Sequence, residues 1–371
     1  MTAGAQRLRR VALCALVAVL VSACGSGGPR SAAVPPDFLG LVSNEVFAAA
    51  PAEQAQLLAS ERHAGVELLR QTFDWAAIEP QPGVYDFARY DAFMTATTRA
   101  RMRVLAVLNG TPAYAAPSPA PGQPVSATTE LPPANMAAFA RFAAVLAARY
   151  GPGGAFWRAH PDLRPLPIRS WQVWNEPNFP VYWGGHPNAG DYAAMLRAVY
   201  GAIHGVDKHA EIVTAGIANS TIGIGLERYL HELLAAHAPF DTLAIHPYAS
   251  SANGVIAAVT QVRRMLDGAG RYSTPIWVSE FGWASGGPPS SFTVGPTLQA
   301  RYVLDVIVTL AREAGTLHVR GVVYFDWRDD PPYPGQGDFW GLHTGLVARD
   351  GIAKPALSAY YQAAGVVRGL P

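Results

Sequence analysis

The stretch Arg103-Val-Leu-Ala-Val-Leu-Asn109 is apolar at five consecutive positions and polar only at its two ends. A half-exposed strand alternates apolar and polar side chains, whereas a parallel strand covered by helices on both faces is apolar throughout. The stretch Gly321-Val-Val-Tyr-Phe325 has the same character. Both stretches therefore predict buried strands of a parallel sheet.

Short β-type runs of this kind alternate along the chain with longer segments whose apolar residues recur every three or four positions, the period of an amphipathic helix. The predicted strands are 38–42, 66–73, 103–109, 170–175, 211–217, 242–248, 276–280 and 321–327. The predicted helices are 51–63, 88–100, 134–149, 190–205, 225–236, 254–267, 297–314 and 354–364. Eight strand–helix units predict an α/β fold, a single (β/α)8 or TIM barrel.

A doubly wound sheet also alternates strands and helices, but its first strand–helix turn carries a glycine-rich dinucleotide-binding fingerprint. The corresponding turn here reads Leu41-Val-Ser-Asn-Glu-Val46 and lacks those glycines. Segments that follow strands, such as 111–133 and 328–350, are long and rich in Pro, Gly and aromatic residues. Because a barrel keeps its active site in such loops, the barrel is favoured.

The composition excludes some classes of function. The chain of 371 residues has 28 basic and 27 acidic side chains, and 50% of its residues are hydrophobic. A near-zero net charge gives no electrostatic footprint for a nucleic acid, so we expect none as a partner. No His-Glu-x-x-His or Cys-x-x-Cys motif occurs, and we expect neither a metal nor another cofactor. We expect a monomer with a sizeable core.

The N-terminal segment has the composition of an export signal. Arg7, Arg9 and Arg10 precede an apolar stretch at 11–23, which is shorter than the ~20 residues that span a bilayer and typical of a signal peptide. The stretch ends in Val21-Ser-Ala-Cys-Gly25, which resembles the cleavage site of bacterial lipoproteins, where the cysteine is lipidated. The alternative is an ordinary secretory signal with a chance cysteine.

We therefore predict a signal peptide over 1–23, a lipidated flexible tether over 24–36 and a barrel domain over 37–371. The mature protein would be anchored through Cys24 to the outer face of the bacterial cell membrane, or otherwise secreted. Since Cys14 would be removed with the signal peptide, no intramolecular disulfide is expected.

Two glutamates lie at the ends of predicted strands, among tryptophans. Glu176 lies in Trp171-Gln-Val-Trp-Asn-Glu-Pro-Asn178, at the end of the fourth strand. Glu280 lies in Pro275-Ile-Trp-Val-Ser-Glu-Phe-Gly-Trp283, at the end of the seventh, across the barrel mouth. Cleavage of a glycosidic bond needs one carboxylic acid and one carboxylate, and aromatic rings are the usual platforms for sugars. The pair therefore predicts glycoside hydrolysis.

The motifs Asn175-Glu176-Pro177 and Ser279-Glu280-Phe281-Gly282 resemble those of the retaining clan A (β/α)8 glycoside hydrolases. In that clan an asparagine precedes the acid/base after strand four, and the nucleophile ends strand seven. The stretch 70–87 is similar to the segment after strand two in family 39 and cellulase-like glycosidases, and the resemblance extends from about residue 38 onward. It implies that Glu176 is the acid/base, that Glu280 is the nucleophile, and that Asn175 binds the sugar 2-hydroxyl.

Other residues are candidates for supporting roles. Arg70, on an otherwise apolar strand, is a candidate to keep Glu280 ionised; the alternative is a buried arginine paired with a structural acid. His246 and Tyr248 are two residues apart and share one face of the sixth strand, although a histidine on an apolar strand is more often structural. Trp327, at the end of the eighth strand, is the candidate platform under the reacting sugar.

Further aromatic residues either line additional subsites or belong to the core, namely Trp75, Tyr182, Trp183, Trp283, Tyr333 and Trp340. The third strand ends in Asn109-Gly-Thr-Pro112, without the histidine that several clan members have there. The sequence therefore leaves the contacts that select the sugar open.

The expected function is hydrolysis of O-glycosidic bonds in an extracellular or cell-wall polysaccharide or oligosaccharide, through a covalent glycosyl-enzyme on Glu280. Retention requires carboxyl groups ~5–5.5 Å apart, whereas inversion requires ~6.5–9.5 Å. Two alternatives remain open: a non-catalytic polysaccharide-binding lipoprotein on a glycosidase barrel, and a transglycosylase that uses the same residues.

Overall fold

The computed structural model describes residues 34–117, 130–333 and 337–370. The predicted signal peptide, Cys24 and the tether as far as residue 33 lie outside the described residues. Among the helices that are described, none combines the length and the apolar character needed to cross a membrane.

The described residues form one parallel sheet. Its strands are β1 (Leu39–Val42), β2 (Leu68–Asp74), β3 (Arg103–Asn109), β4 (Ser170–Val173), β5 (Glu211–Thr214), β6 (Ile217–Ala218), β7 (Leu243–His246), β8 (Ile276–Phe281) and β9 (Val319–Tyr324). They are ordered β5-β4-β3-β2-β1-β9-β8-β7-β6. A parallel bridge between Val213 and Thr242, the residue before β7, closes the ring. Because β5 and β6 are two segments of one predicted strand, the sheet has eight positions, and the predicted TIM barrel is confirmed.

Helices surround the sheet. They are α1 (Asn44–Ala48), α2 (Pro51–Ala64), α3 (Trp75–Ile78), α4 (Ala88–Arg99), α5 (Met136–Tyr150), α6 (Ala155–Ala159), α7 (Ala189–His204), α8 (Leu226–Ala235), α9 (Ala252–Gly268), α10 (Pro296–Arg312), α11 (Ala314–Leu317) and α12 (Pro355–Arg368). The eight predicted helices are all present, and none of their ends differs from its prediction by more than four residues. The short α1, α3, α6 and α11 were not predicted, because four or five residues are too few for a period to be visible.

The predicted ends of three strands are wrong. The fourth, sixth and eighth strands end at Val173, His246 and Tyr324, two or three residues before the predicted 175, 248 and 327. At these points the chain leaves the sheet and turns its next residues into or away from the barrel mouth. Apolar composition continues beyond the last ladder hydrogen bond, so the sequence pattern alone overestimates the strand length.

The barrel interior is a packed apolar layer. Leu68, Leu105, Ala244, Trp277 and Val323 form one buried cluster, separate from the larger core between strands and helices. At Gly321 a Cβ atom would lie 3.0 Å from the Trp277 indole and 3.0 Å from the Phe38 carbonyl oxygen. Because residue 321 is a glycine, the indole of Trp277, the largest side chain of the interior layer, has room to pack there.

Truncating this indole should destabilise the barrel. Trp277 is fully buried, and Trp277→Ala should lower the free energy of unfolding by about 3–5 kcal/mol through lost burial and a residual cavity. Tyr272→Ala is the control, because Tyr272 is 68% exposed and its loss should change stability by no more than about 0.5 kcal/mol. Urea unfolding measures both; equal effects would contradict a barrel packed around Trp277.

Candidate active site

The side chain of Arg70 lies on β2 and joins three strands at the barrel mouth. Its Nη1 atom donates to Glu280 Oε1 at 2.5 Å, Nη2 donates to Asn175 Oδ1 at 2.8 Å, and Nε donates to Gln172 Oε1 at 2.7 Å. The side chain is 7% exposed. The structure therefore brings Arg70, Asn175 and Glu280 together, and all three guanidinium nitrogens are held in place.

Gln172 supports this arrangement from below and was not singled out in the sequence. It is fully buried on β4, and its Nε2 atom donates to Ser279 Oγ and to the Thr214 carbonyl oxygen, both at 3.1 Å. The side chain thus links the fourth strand to its neighbour β5 and, across the barrel, to β8. Its signal in the sequence is an amide at an inward position of an otherwise apolar strand.

Glu176 and Glu280 face one another across His246. The imidazole Nδ1 atom lies 2.7 Å from Glu176 Oε1 and 3.5 Å from Glu280 Oε2. The Tyr248 hydroxyl donates to Glu280 Oε2 at 3.0 Å. One carboxylate oxygen of Glu176 lies within 4.8 Å of one oxygen of Glu280. The two predicted carboxylates therefore share one space at the mouth, together with both predicted residues of the sixth strand.

An unusual backbone conformation delivers Glu176 to this space. β4 ends at Val173, and the next residues include two non-glycine positive-φ positions, Trp174 at φ 72° and Glu176 at φ 40°. Such conformations cost about 1–3 kcal/mol each and persist only where surrounding contacts impose them. Here the Trp174 backbone N–H donates to the Leu108 carbonyl oxygen at 2.8 Å, and its indole N–H donates to the Tyr182 carbonyl oxygen at 2.8 Å. These anchors let neighbouring Asn175 and Glu176 both reach the mouth.

Burial sets the protonation states of the acid and the imidazole. Burial raises the pKa of Glu176 to about 8, against the opposing charge of Arg70. Burial also lowers the pKa of His246 to about 3, with Arg70 lowering it further and Glu280 opposing the change. At neutral pH a protonated Glu176 therefore faces a neutral imidazole, and the tautomer of the imidazole sets the direction of the hydrogen bond between Nδ1 and Glu176 Oε1.

A glycine gives this imidazole its room. At Gly216, between β5 and β6, a Cβ atom would lie 1.9 Å from His246 Nε2. The Nε2 atom is buried and has no hydrogen-bond partner among the residues that the structure describes. A side chain at position 216 would therefore displace the ring, whose Nδ1 atom lies 2.7 Å from Glu176 Oε1.

Glu176, His246 and Glu280 also have the spacing of a metal-ligand set. Two observations favour acid–base chemistry over metal binding. The Arg70 guanidinium already contacts Glu280 at 2.5 Å and would repel a second cation there. The raised pKa of Glu176 favours the protonated form, whereas a carboxylate must be deprotonated to bind a metal.

Trp327 does not join this group, and the sequence-based interpretation of it as a platform is not what the structure shows. The ring is 4% exposed and packs in the core outside the sheet. Its backbone N–H donates to the Val42 carbonyl oxygen at 3.1 Å. Since β9 ends at Tyr324, alternation does not carry the inward face as far as residue 327. Phe325, which packs on the interior layer, has the inward position instead.

The other aromatic candidates divide into two sets. Trp75, Trp183 and Trp283 are buried in the core. Trp340 lies at the mouth, with its ring centroid 5.2 Å from that of Tyr248 and 4.5 Å from that of Phe292. Tyr182 and Tyr333 also lie near the carboxylates. Burial raises the pKa of each phenol, and the charge of Glu280 raises it further. Phe292 was not singled out in the sequence.

A third carboxylate lies close to Glu176 and was missed in the sequence. Glu130 Oε2 accepts a hydrogen bond from Asn109 Nδ2 at 2.7 Å. Burial raises the pKa of Glu130, the negative charges of Asp74 and Glu176 raise it further, and the Asn109 bond opposes them. Glu130 lies in a loop without any recognisable motif, so no local pattern could have identified it.

Residues 167–313 match a protein family described as "Glycosyl hydrolase catalytic core". The matched span contains Glu176, His246 and Glu280. No curated protein matches the chain.

Solved structures share the fold. A family 39 glycoside hydrolase from Bacteroides cellulosilyticus aligns with a TM-score of 0.64 and 19% identity, over 90% of this chain and 64% of that one. A monomeric β-xylosidase from Caulobacter crescentus gives 0.65 and 19%, over 90% and 69%. A family 39 enzyme from Xanthomonas axonopodis pv. citri gives 0.62 and 19%, over 89% and 67%. The chain thus spans about two thirds of the length of these proteins.

The fold and the matched core define the class as a (β/α)8 glycosidase-type protein. More narrowly, residues 167–313 match a glycosyl hydrolase catalytic core, and the barrel has the same fold as solved family 39 enzymes. The recognition of that class from the two glutamate motifs is confirmed.

The protonation of Glu176 should be visible in the pH dependence of stability. Its pKa rises from 4.5 to about 8 on folding, so the stability contributed by the protonated form is present below pH 4.5 and is lost as the pH rises toward 8. Glu176→Gln cannot ionise. Relative to the parent, this variant should therefore gain at least about 1.4 kcal/mol, the value of one pKa unit, between pH 5 and pH 9 in urea unfolding.

Glu227→Gln is the matched control, because Glu227 is exposed on α8. Its difference from the parent should stay constant over the same pH range. A constant difference for Glu176→Gln as well would show that burial does not raise the pKa of Glu176.

Proposed function

We propose that this protein is a retaining glycoside hydrolase in which Glu176 is the acid/base and Glu280 is the nucleophile. The observation that carries the proposal is the approach of their carboxylate oxygens to within 4.8 Å. Retaining glycosidases have carboxyl groups ~5–5.5 Å apart, whereas inverting enzymes need ~6.5–9.5 Å to place a water molecule between the second carboxylate, which is a general base, and the anomeric carbon. The short separation supports direct attack by a carboxylate.

In the first step Glu280 attacks the anomeric carbon. The bond from its oxygen to that carbon forms while the bond to the leaving oxygen breaks, and Glu176 transfers its proton to the leaving oxygen. Burial, which raises the pKa of Glu176 to about 8, keeps that proton available at neutral pH. Arg70 and Tyr248 hold Glu280 through its two different oxygens, which orients the carboxylate for attack.

In the second step Glu176 acts as a general base instead of a general acid. Glu176, now a carboxylate, takes a proton from water, the water oxygen bonds to the anomeric carbon, and Glu280 is released. Once Glu280 is esterified it no longer neutralises Arg70. The Arg70 charge already lowers the pKa of Glu176, and its uncompensated field would lower it further, as a general base requires.

Asn175 and His246 support this chemistry. Asn175 Oδ1 accepts from Arg70, so its amide nitrogen is directed away from the guanidinium and is available to the sugar 2-hydroxyl. His246 orients the acid through Nδ1. The proposed substrate is an O-glycosidic bond of an extracellular or cell-wall polysaccharide or oligosaccharide, reached by a monomer exported and anchored through lipidated Cys24.

Glu280→Ala should abolish turnover of aryl glycosides and keep sugar binding, because the covalent step is lost while the aromatic and polar walls remain. Glu176→Ala should slow substrates with poor leaving groups by roughly 10²- to 10⁴-fold and activated aryl glycosides much less, since only the former need the proton. Initial rates over a panel of aryl glycosides and wall polysaccharides measure both, with Glu227→Gln as the control.

Proton NMR of the first-formed sugar should show the anomer of the substrate. Appearance of the opposite anomer would refute retention. Binding without turnover by the parent protein would favour the non-catalytic polysaccharide-binding alternative. Transfer to an added sugar acceptor in preference to water would favour transglycosylation.

A further inference from the structure

Asn109 and Glu130 form a polar pair at the barrel mouth that the steps above do not use. Asn109 is the last residue of β3, in register with Asp74 at the end of β2. Glu130 is held against the loop after β4: its backbone N–H donates to the Val181 carbonyl oxygen at 2.8 Å, and its carbonyl oxygen accepts from Gly184 at 2.9 Å. The carboxylate is therefore placed by main-chain contacts beside the segment that carries Glu176.

The pair is unfavourable as a purely structural feature. Asn109 is buried, with 7% of the residue exposed, and among the described residues its Oδ1 atom has no hydrogen-bond partner. An unpartnered buried acceptor costs about 1–3 kcal/mol. Glu130 in turn lies near two other carboxyl groups, Asp74 and Glu176; burial raises the pKa of Glu130, and both groups raise it further. A neutral or apolar side chain would be more stable here, so the arrangement points to a ligand.

We propose that Asn109 and Glu130 bind a hydroxyl group of the sugar at the scissile bond and thereby determine which neutral sugar is accepted. This inference rests on the proposed glycosidase function. Tyr182 lies nearby: burial raises the pKa of its phenol, and the charges of Glu176, Glu280 and Glu130 all raise it further.

The chemistry of the pair selects the class of sugar. A sugar hydroxyl both donates and accepts, so it can donate to the Glu130 carboxylate and accept from its protonated form. A uronic acid would bring a further negative charge next to Asp74 and Glu130 and would be repelled. The pair therefore favours a neutral sugar with a free hydroxyl at this position, and a sugar that lacks that hydroxyl leaves Glu130 without its partner.

The test combines the substitution Glu130→Gln with removal of single hydroxyl groups from the substrate. The values of kcat/KM are measured for the parent and for Glu130→Gln, with the aryl glycoside that the parent hydrolyses fastest and with its mono-deoxy analogues. For the complete sugar the variant should lose about 10- to 100-fold, the range for hydrogen bonds to a charged group. For one deoxy analogue the variant and the parent should differ by less than about twofold, because the bond is already missing. Asn109→Ala should show the same pattern.

Glu227→Gln provides the matched carboxylate-to-amide change on the surface, and the thermal midpoint of each variant monitors folding. A loss of equal size for every deoxy analogue, or no loss for the complete sugar, would overturn the inference while leaving the glycosidase function intact.

A second measurement is independent of turnover. Isothermal titration of Glu280→Gln, with and without Glu130→Gln, measures binding of the neutral methyl glycoside, its deoxy analogues and the corresponding uronoside. Preferred binding of the neutral sugar, lost with Glu130→Gln, supports the subsite even if the parent hydrolyses no substrate and the proposed function fails. Tighter binding of the uronoside, or no binding of any neutral sugar, overturns it.

Discussion

The guanidinium of Arg70 is the interaction on which the site depends. Its three nitrogens hold Gln172, Asn175 and Glu280, and so tie β2 to β4 and to β8 on the opposite side of the barrel. A cation with fixed, planar donors can orient one carboxylate and one amide at the same time. Because these contacts cross the barrel, the closed ring of strands sets the distance between Glu176 and Glu280, and a change in the ring would alter the chemistry.

Burial shifts the pKa values of two neighbouring groups at the barrel mouth in opposite directions. Burial raises the pKa of Glu176 to about 8 and lowers that of His246 to about 3, so the acid keeps its proton and the imidazole stays neutral beside it. The arrangement costs stability, since Trp174 and Glu176 adopt positive-φ backbone and Asn109 Oδ1 is buried without a partner in the described part of the chain. Such costs are common where a protein organises charge for reaction before the substrate arrives.

Much of the fold could be predicted from the chain alone. The barrel was predicted from apolar runs such as 104–108 and from the helical periodicity of the segments between them. Both patterns depend only on which side chains of a segment are buried, so they can be recognised without knowing the tertiary structure. The same order placed Glu176 and Glu280 after the fourth and seventh strands, and parallel strands in a ring bring those ends to one mouth. The strand ends were less predictable, because apolar composition continues beyond the last hydrogen bond between neighbouring strands.

By itself, the sequence determined the class of fold and the two carboxylates, since periodicity and strand order are local or follow from parallel topology. The tertiary structure alone decided the finer site. It put Phe325 in the inward position and Trp327 in the outer core, and it brought Glu130 to Asn109, 21 residues away in the chain. These outcomes depend on where a strand leaves the sheet and on contacts between distant segments, and neither is encoded in the pattern of any one segment.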